Sequence, residues 1–170
     1  MEKLPKRKCI RLKDFDYTQA GYYFITICAK DRKSLFWNDV GATCGRPFEP
    51  SLTKIGKIID LEINKINCIY ENIEINKYVI MPNHVHLIIV LHTENGQSKI
   101  DKQESGRPQV APTISRIIQQ FKGSISKQVG FLIWQKSFYE HVIRNEEEYL
   151  NIYNYIESNP LKWEEDKYYI

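Results

Sequence analysis

The sequence predicts an α+β protein with a ferredoxin-like fold: an antiparallel sheet with helices on one face, plus an added C-terminal helix. Apolar runs rich in aromatic and β-branched residues, which are typical of strands, alternate with amphipathic stretches at helical spacing. Their order is strand, helix, strand, strand, helix, strand, which is the split βαβ arrangement. One more helical pattern follows the last of these strands.

Length and composition narrow the class of protein. A chain of 170 residues suits one domain with a sizeable core, so we expect a single domain over 1–170. No apolar run approaches the roughly 20 residues that span a bilayer, and no apolar segment follows the basic N-terminus as it does in a secretory signal. The four cysteines include no CxxC pair. We therefore expect reduced thiols, no membrane partner and a cytoplasmic location.

The first half of the chain contains three predicted strands and one helix. The run 21–29 predicts the first strand, and an irregular stretch with glycine and proline follows it to Pro50. From Ser51 to about Asn67, apolar residues recur at three- and four-residue steps, which predicts a helix. The runs 73–81 and 84–91 predict the next two strands. The run 84–91 is apolar on both faces beyond its histidines, which is typical of a central strand.

The second half begins with a polar stretch at 93–112, which has no hydrophobic period and predicts a surface loop. An apolar stripe then predicts a helix over 114–129. Strand-like composition covers 131–134 and 137–143, with a polar interruption at 135–136. Asn145 can cap a last helix, since Glu148 stands three residues after it, and this helix should end near Ser158.

His84 and His86 are the first candidate functional residues. Side chains alternate along a strand, so both imidazoles should lie on the same face of the predicted strand. Two neighbouring imidazoles on an otherwise apolar strand suggest two ligands of one metal ion. The alternative is a structural pair, which is about as common. His92 shares the face but lies too far along the strand to join them.

The last helix supplies two further candidates. Tyr155 falls at the edge of its apolar stripe, and Asn159 lies one turn later on the same edge. Asn159 could complete a metal site through its carbonyl oxygen, and Tyr155 could place its oxygen over a bound substrate. The alternative for Tyr155 is an ordinary amphipathic aromatic residue. The stripe itself consists of Tyr149, Ile152, Tyr153 and Ile156.

The basic residues are unevenly distributed, although the net charge is only +3. A basic arm covers 1–13, and further basic side chains lie off the apolar stripe of the second helix. Both groups could contact the phosphates of a nucleic acid, whereas a solvated tail and a solvated helix face are the alternatives. The candidates for nucleic-acid binding are Arg7, Lys8, Arg11, Arg116, Lys122 and Lys127.

Three segments together resemble a known family. Residues 78–88 read Tyr-Val-Ile-Met-Pro-Asn-His-Val-His-Leu-Ile, residues 133–144 read Ile-Trp-Gln-Lys-Ser-Phe-Tyr-Glu-His-Val-Ile-Arg, and residues 155–160 read Tyr-Ile-Glu-Ser-Asn-Pro. This combination resembles the REP-associated tyrosine transposases, which are relatives of the single-tyrosine HUH transposases of small bacterial insertion sequences. The resemblance covers about residues 10 to 163.

The resemblance implies an activity and a role for each candidate. His84 and His86 would bind a divalent metal ion, Mg²⁺ or Mn²⁺, and Tyr155 would attack a DNA phosphate. Insertion-sequence relatives carry a metal-binding glutamine where this chain has Asn159. The protein would then be a metal-dependent endonuclease and strand transferase that acts on single-stranded or hairpin DNA through a 5′-phosphotyrosine, as a monomer or homodimer.

Two other functions remain open at this point. A non-catalytic module that binds hairpin DNA or RNA would keep the fold but form no covalent adduct. A metal-dependent hydrolase of small phosphoesters would need neither the hairpin nor the tyrosine. Incubation with hairpin DNA and manganese separates the three.

Overall fold

A computed structural model describes residues 19–38, 51–92 and 113–169. The predicted basic arm at 1–13, with Arg7, Lys8 and Arg11, and the predicted loop at 93–112 lie outside the described residues. The expectation of one domain over the whole chain therefore stays a prediction.

The described residues form a four-stranded antiparallel sheet and three α-helices. The strand order across the sheet is β2-β3-β1-β4, with every neighbouring pair antiparallel. This order, with α1 and α2 as the connections, confirms the predicted ferredoxin-like α+β fold. The strands are β1 (Gly21–Cys28), β2 (Ile73–Ile80), β3 (His84–Leu91) and β4 (Tyr139–Ile143), and the helices are α1 (Lys54–Ile69), α2 (Ile114–Val129) and α3 (Glu146–Ser158).

The two faces of the sheet are covered by different helices. On one face, alternate residues of the central strands, such as Ile25 and Leu87, pack in a large core with α1 and α2. On the other face, Phe24 and Ile88 pack against Ile156 of α3 in a smaller cluster. Because side chains alternate along a strand, β3 turns both of its histidines to the α3 face. The added C-terminal helix thus covers the sheet next to these histidines.

Several element boundaries differ from the sequence predictions. The first helix begins at Lys54 because Thr53 caps it: the Thr53 hydroxyl accepts a hydrogen bond from Gly56 N–H at 3.1 Å. The strand-like run at 131–134 is not a strand, and Trp134 makes only an isolated bridge with Ala29. Gly130 ends α2 in the left-handed conformation, and the chain forms a regular strand again only at Tyr139.

Helix α3 begins where the capping pattern predicts. Asn145 Oδ1 accepts a hydrogen bond from Glu148 N–H at 2.8 Å, and Glu148 Oε2 accepts one from Arg144 N–H at 2.8 Å. Helix α3 also contacts β2, the strand at the opposite edge of the sheet from β4, because the Tyr149 hydroxyl donates to Asn76 Oδ1 at 2.7 Å. The hydrogen bond between Tyr149 and Asn76 thus holds α3 against the sheet. No described helix combines the length and the apolar character that crossing a bilayer requires.

Candidate functional site

The two histidines of β3 form the centre of the candidate site. Both side chains are fully buried, and their Nε2 atoms lie 3.0 Å apart. Two neutral imidazoles approach this closely only when a proton or a cation lies between the two nitrogen atoms, because their lone pairs otherwise repel. The Nε2 atoms of His84 and His86 are therefore directed at one point, where they can share a proton in a hydrogen bond or hold one cation.

Asn83 fixes the orientation of the first imidazole. Its side-chain nitrogen donates to the carbonyl oxygens of Arg32 at 3.1 Å and Tyr168 at 2.8 Å. The amide oxygen must then be the atom that faces His84 Nδ1 at 2.8 Å, and it can only accept. His84 therefore carries its proton on Nδ1 and presents the lone pair of Nε2 to the site. Such outer partners are what metal-ligating histidines need.

Thr26 and Phe24 orient the second imidazole. The Thr26 hydroxyl lies 2.8 Å from His86 Nδ1, and the Phe24 ring stacks on the imidazole with ring centroids 5.2 Å apart. Burial lowers the pKa of His84 to about 4 and lowers the pKa of His86 well below its usual value. Both rings are therefore neutral near pH 7, which is the state that binds metal ions.

Tyr155 reaches this pair from α3. Its hydroxyl lies 3.2 Å from His86 Nε2 and donates a hydrogen bond to Asp166 Oδ2 at 3.1 Å. Burial, followed by the negative charge of Asp166, raises the pKa of the Tyr155 phenol. The phenol is therefore protonated at neutral pH, and a carboxylate that can accept its proton is already hydrogen-bonded to it.

The donor set fits a divalent metal ion. One ligand atom each from His84, His86 and Asp166 lies within 4.8 Å of the others, and two imidazoles with one carboxylate is a common set for such ions. Asn159, the ligand suggested by the sequence, is 3% exposed, and its amide lies near enough to the Tyr155 hydroxyl to lower the pKa of that phenol. Within the described residues, neither polar atom of the amide makes a hydrogen bond of good geometry. An orphaned buried amide is what a missing ligand or water would satisfy. Its ligand role stays a prediction.

Aromatic and basic side chains surround the histidines. The Tyr168 ring centroid lies 4.5 Å from that of His84, and the Trp163 ring centroid lies 6.0 Å from it. Arg32 and Lys167 place their cationic groups 5.6 and 5.0 Å from the centre of the Tyr168 ring. Burial raises the pKa of Tyr168 to about 12. The site therefore has a positively charged border that suits an anionic substrate.

The predicted phosphate contacts of the second helix lie elsewhere. Arg116, Lys122 and Lys127 belong to α2, on the sheet face opposite the histidines. Arg116 and Lys127 are exposed. Lys122 donates to the carbonyl oxygen of Gln135 at 2.6 Å, and burial lowers its pKa. The structure thus gives Lys122 a role in holding the segment before β4, and DNA binding by all three stays a prediction.

Among the residues that hydrogen-bond to the histidines or to Tyr155, sequence reasoning missed three: Thr26, Asn83 and Asp166. Asn83 stands directly before His84, so its position could have indicated an outer partner. Asp166 gave no such signal, because the tail after Asn159 has no regular period. A short 3-10 segment, Asn159–Glu165, carries the chain back to Tyr155 and places the carboxylate there.

The fold and site together define a class: ferredoxin-like proteins with paired imidazoles on the central strand and a facing phenol on an added helix. No protein-family model matches the chain. An uncharacterised protein of Haemophilus influenzae is 34% identical over 96% of this chain and 93% of its own length. A protein of the same organism, provisionally named a REP-associated tyrosine transposase, is 26% identical over 86% of this chain and 74% of its own length.

Two further comparisons agree. The REP-associated tyrosine transposase of Escherichia coli K12 is 31% identical over 52% of this chain and 45% of its own length. A solved structure of a REP-associated tyrosine transposase bound to a REP hairpin has a TM-score of 0.61, with 23% identity, and covers 90% of this chain and 74% of that one. The structural likeness shows the fold. By sequence, the chain is similar to two proteins that carry the name REP-associated tyrosine transposase, one of them provisionally.

Proposed function

We propose that this transposase homologue nicks and rejoins single-stranded DNA beside a palindromic hairpin, through covalent attachment of the DNA to Tyr155. One observation carries the proposal: the phenol oxygen lies 3.2 Å from His86 Nε2, which itself lies 3.0 Å from His84 Nε2. A nucleophile beside two metal-ligating nitrogen atoms suits a metal-assisted attack on a phosphodiester.

The proton of the phenol has a defined destination. Tyr155 already donates its hydrogen bond to Asp166 Oδ2, so we assign the carboxylate of Asp166 as the base that takes the proton during attack. The bond between Tyr155 Oη and phosphorus forms as the bond from phosphorus to the 3′ oxygen breaks. The departing 3′ oxygen takes the proton back from Asp166. The products are a 5′-phosphotyrosine and a free 3′ hydroxyl.

The reverse step would join the DNA. The phosphotyrosine keeps the energy of the phosphodiester bond, so a 3′ hydroxyl can attack it without ATP. Tyr155 then leaves as a phenol, and Asp166 again exchanges the proton. A nuclease and a strand transferase would thus use the same two side chains in opposite directions.

His84 and His86 would hold a divalent ion, with the amide oxygen of Asn159 as the third predicted ligand. Asp166 is also close enough to serve as a ligand, but its hydrogen bond to the phenol favours the role of base. When bound, Mg²⁺ or Mn²⁺ would stabilise the negative charge that develops on the phosphate. Asn83 and Thr26 would keep both imidazoles aimed at the ion.

A hairpin is the proposed recognition element because the solved neighbour of this fold is bound to a REP hairpin. Arg32 and Lys167 border the site and could contact the phosphates of the strand that enters it. Because the side chains of the proposed site can meet within one chain, a monomer could carry the whole site, and a homodimer is the other predicted state. A DNA substrate agrees with the expected cytoplasmic location, which stays a prediction.

The test is covalent capture. End-labelled single-stranded DNA that contains a hairpin is incubated with the protein and Mn²⁺, and adducts are separated on a denaturing gel. Tyr155→Phe should abolish the adduct and leave hairpin binding intact. Tyr153→Phe, on the same helix, is the matched control and should form the adduct at the wild-type rate.

Other outcomes select other functions. Hairpin binding without any adduct would favour the non-catalytic module. An adduct that persists in Tyr155→Phe and disappears in Tyr153→Phe would show that the wrong tyrosine was assigned. Cleavage of small phosphoesters that needs no tyrosine would favour the hydrolase.

A further inference from the structure

A surface cavity of about 550 Å³ lies beside the candidate site, between β4 and the first turns of α3. We call it the α3 cavity. We propose that it binds the base of one unpaired nucleotide next to the cleaved phosphate, and this inference rests on the proposed function. The lining residues are Phe24, Tyr139, His141, Arg144, Asn145, Glu147, Glu148, Asn151 and Ile152.

The cavity and the site share a wall. Phe24 lines the α3 cavity, and the same ring stacks on His86 at 5.2 Å and lies edge-on to Tyr155 at 6.3 Å. One aromatic ring therefore separates the cavity from the proposed nucleophile. A DNA strand whose phosphate lies at Tyr155 would bring an adjacent nucleotide to the mouth of the cavity.

The size and the aromatic surface suit a nucleobase. Small-molecule sites usually enclose about 300–1,000 Å³, and the α3 cavity falls within this range. Tyr139, which is 40% exposed, stands edge-on to Phe24 with ring centroids 6.3 Å apart. Exposed aromatic rings of this kind are the usual stacking surfaces for unpaired bases.

The charges favour a base over a phosphate. The cavity is lined by the carboxylates of Glu147 and Glu148 and by one cationic side chain, Arg144, so the carboxylates outnumber the guanidinium. The Arg144 N–H and His141 hold the pKa of Glu148 below its usual value. Two carboxylates repel a phosphate group but can accept hydrogen bonds from a neutral base. The amides of Asn145 and Asn151 add donors and acceptors of the kind that read base edges.

The walls of the cavity are held in place before any ligand arrives. Glu148 contacts His141 Nε2 of β4 at 2.5 Å and accepts from Arg144 N–H at 2.8 Å. Asn145 caps α3 through its oxygen, which leaves its side-chain nitrogen available to a ligand. A preformed pocket loses little conformational entropy on binding, so it can discriminate between bases.

The experiment measures binding and cleavage separately. Fluorescein-labelled hairpins, taken from palindromes that flank the gene of this protein, carry single-stranded flanks in which each nucleotide in turn is replaced by an abasic residue. Affinity is measured by anisotropy with the Tyr155→Phe protein, and adduct formation with the protein that retains Tyr155. One abasic position should weaken binding by about tenfold to a hundredfold, as expected for a lost stacking contact.

Filling the cavity tests whether it is the site of that effect. Asn151→Trp, at an exposed helical position, should lower the affinity for the intact hairpin. This affinity should then equal that for the hairpin whose abasic position weakens binding to the unsubstituted cavity. Leu150→Trp places the same ring on the neighbouring exposed position outside the cavity and should retain the base dependence. Tyr139→Leu should reduce the base dependence. Phe131→Leu, which changes an exposed aromatic residue that does not line the cavity, should not.

Failure of the cavity and failure of the proposed function are distinguishable. Adducts that form at equal rates on every abasic hairpin, or a base dependence that survives Asn151→Trp, would overturn the cavity assignment alone. A base dependence that Asn151→Trp removes, without adducts on any hairpin, would overturn the proposed cleavage and support the cavity.

Discussion

Asn83→Ala gives the sharpest test of how the site is built. The amide of Asn83 donates two hydrogen bonds, to the carbonyl oxygens of Arg32 and Tyr168, and accepts one from His84 Nδ1. Alanine removes all three bonds and releases the proton that the amide oxygen keeps on Nδ1. His84 can then place its proton on Nε2, where it blocks metal binding.

Two quantities should change. Each net hydrogen bond contributes about 0.5–1.5 kcal/mol, so three bonds predict a loss of about 1.5–4.5 kcal/mol in the free energy of unfolding. Loss of an outer partner of a metal-ligating histidine typically lowers metal affinity by about tenfold to a hundredfold. Urea unfolding measures the first quantity, and Mn²⁺ titration followed by electron paramagnetic resonance measures the second.

Asn154→Ala is the matched control, because Asn154 is an exposed asparagine of α3. It should leave both quantities unchanged. The metal titration is done below the unfolding transition of each variant, so that a loss of affinity does not reflect loss of folded protein. A folded Asn83→Ala protein with wild-type Mn²⁺ affinity would refute the role of this amide in presenting His84 Nε2.

Three further perturbations follow from the contacts. Asp166→Asn should slow single-turnover adduct formation by Tyr155 about 10²- to 10⁴-fold, since an amide cannot take the phenol proton; an unchanged rate would remove Asp166 from the mechanism. The folded-state pKa of Glu148 is depressed, so its stabilisation is present above its unfolded pKa of about 4.3 and is lost as pH falls through the folded value. Glu148→Gln should therefore lower the urea midpoint at neutral pH, with the difference from wild type shrinking in acid, and a constant difference contradicts this. Gly56→Ala places a Cβ 2.3 Å from the Phe36 carbonyl oxygen, which should lower the free energy of unfolding by about 1–3 kcal/mol. Urea unfolding measures this loss, and a wild-type midpoint would show that the segment containing Phe36 moves aside without an energetic cost.

The sequence predicted features that depend on local patterns. Alternation along β3 places His84 and His86 on one face, and the structure has both Nε2 atoms 3.0 Å apart. The capping pattern at Asn145 predicted where α3 begins, because a cap involves only residues three apart. The helical period set Tyr155 at the edge of the apolar stripe, from which its hydroxyl reaches His86.

Features that depend on distant contacts were beyond the same reasoning. The sequence offered Lys122 as a phosphate contact, which stays a prediction, but it did not indicate that the Lys122 ammonium group donates to carbonyl oxygens of the segment before β4. Likewise, the composition of 131–134 favoured a strand, whereas tertiary packing leaves only a single bridge at Trp134. Propensity describes what a segment can form, and packing against the rest of the chain decides what it does form.

By itself, then, the sequence determined the order of strands and helices, the shared face of the two histidines and the position of Tyr155 on its helix. Only the tertiary structure decided that α3 covers the histidine face, that Asn83 is held by Tyr168 across 85 residues, and that Asp166 meets the phenol. The physical reason is the sequence separation over which each kind of contact acts. Periods and caps are fixed by hydrogen bonds and burial within a few residues, whereas the site is closed by a tail with no regular period of its own. Its position follows from the packing of α3 on the sheet.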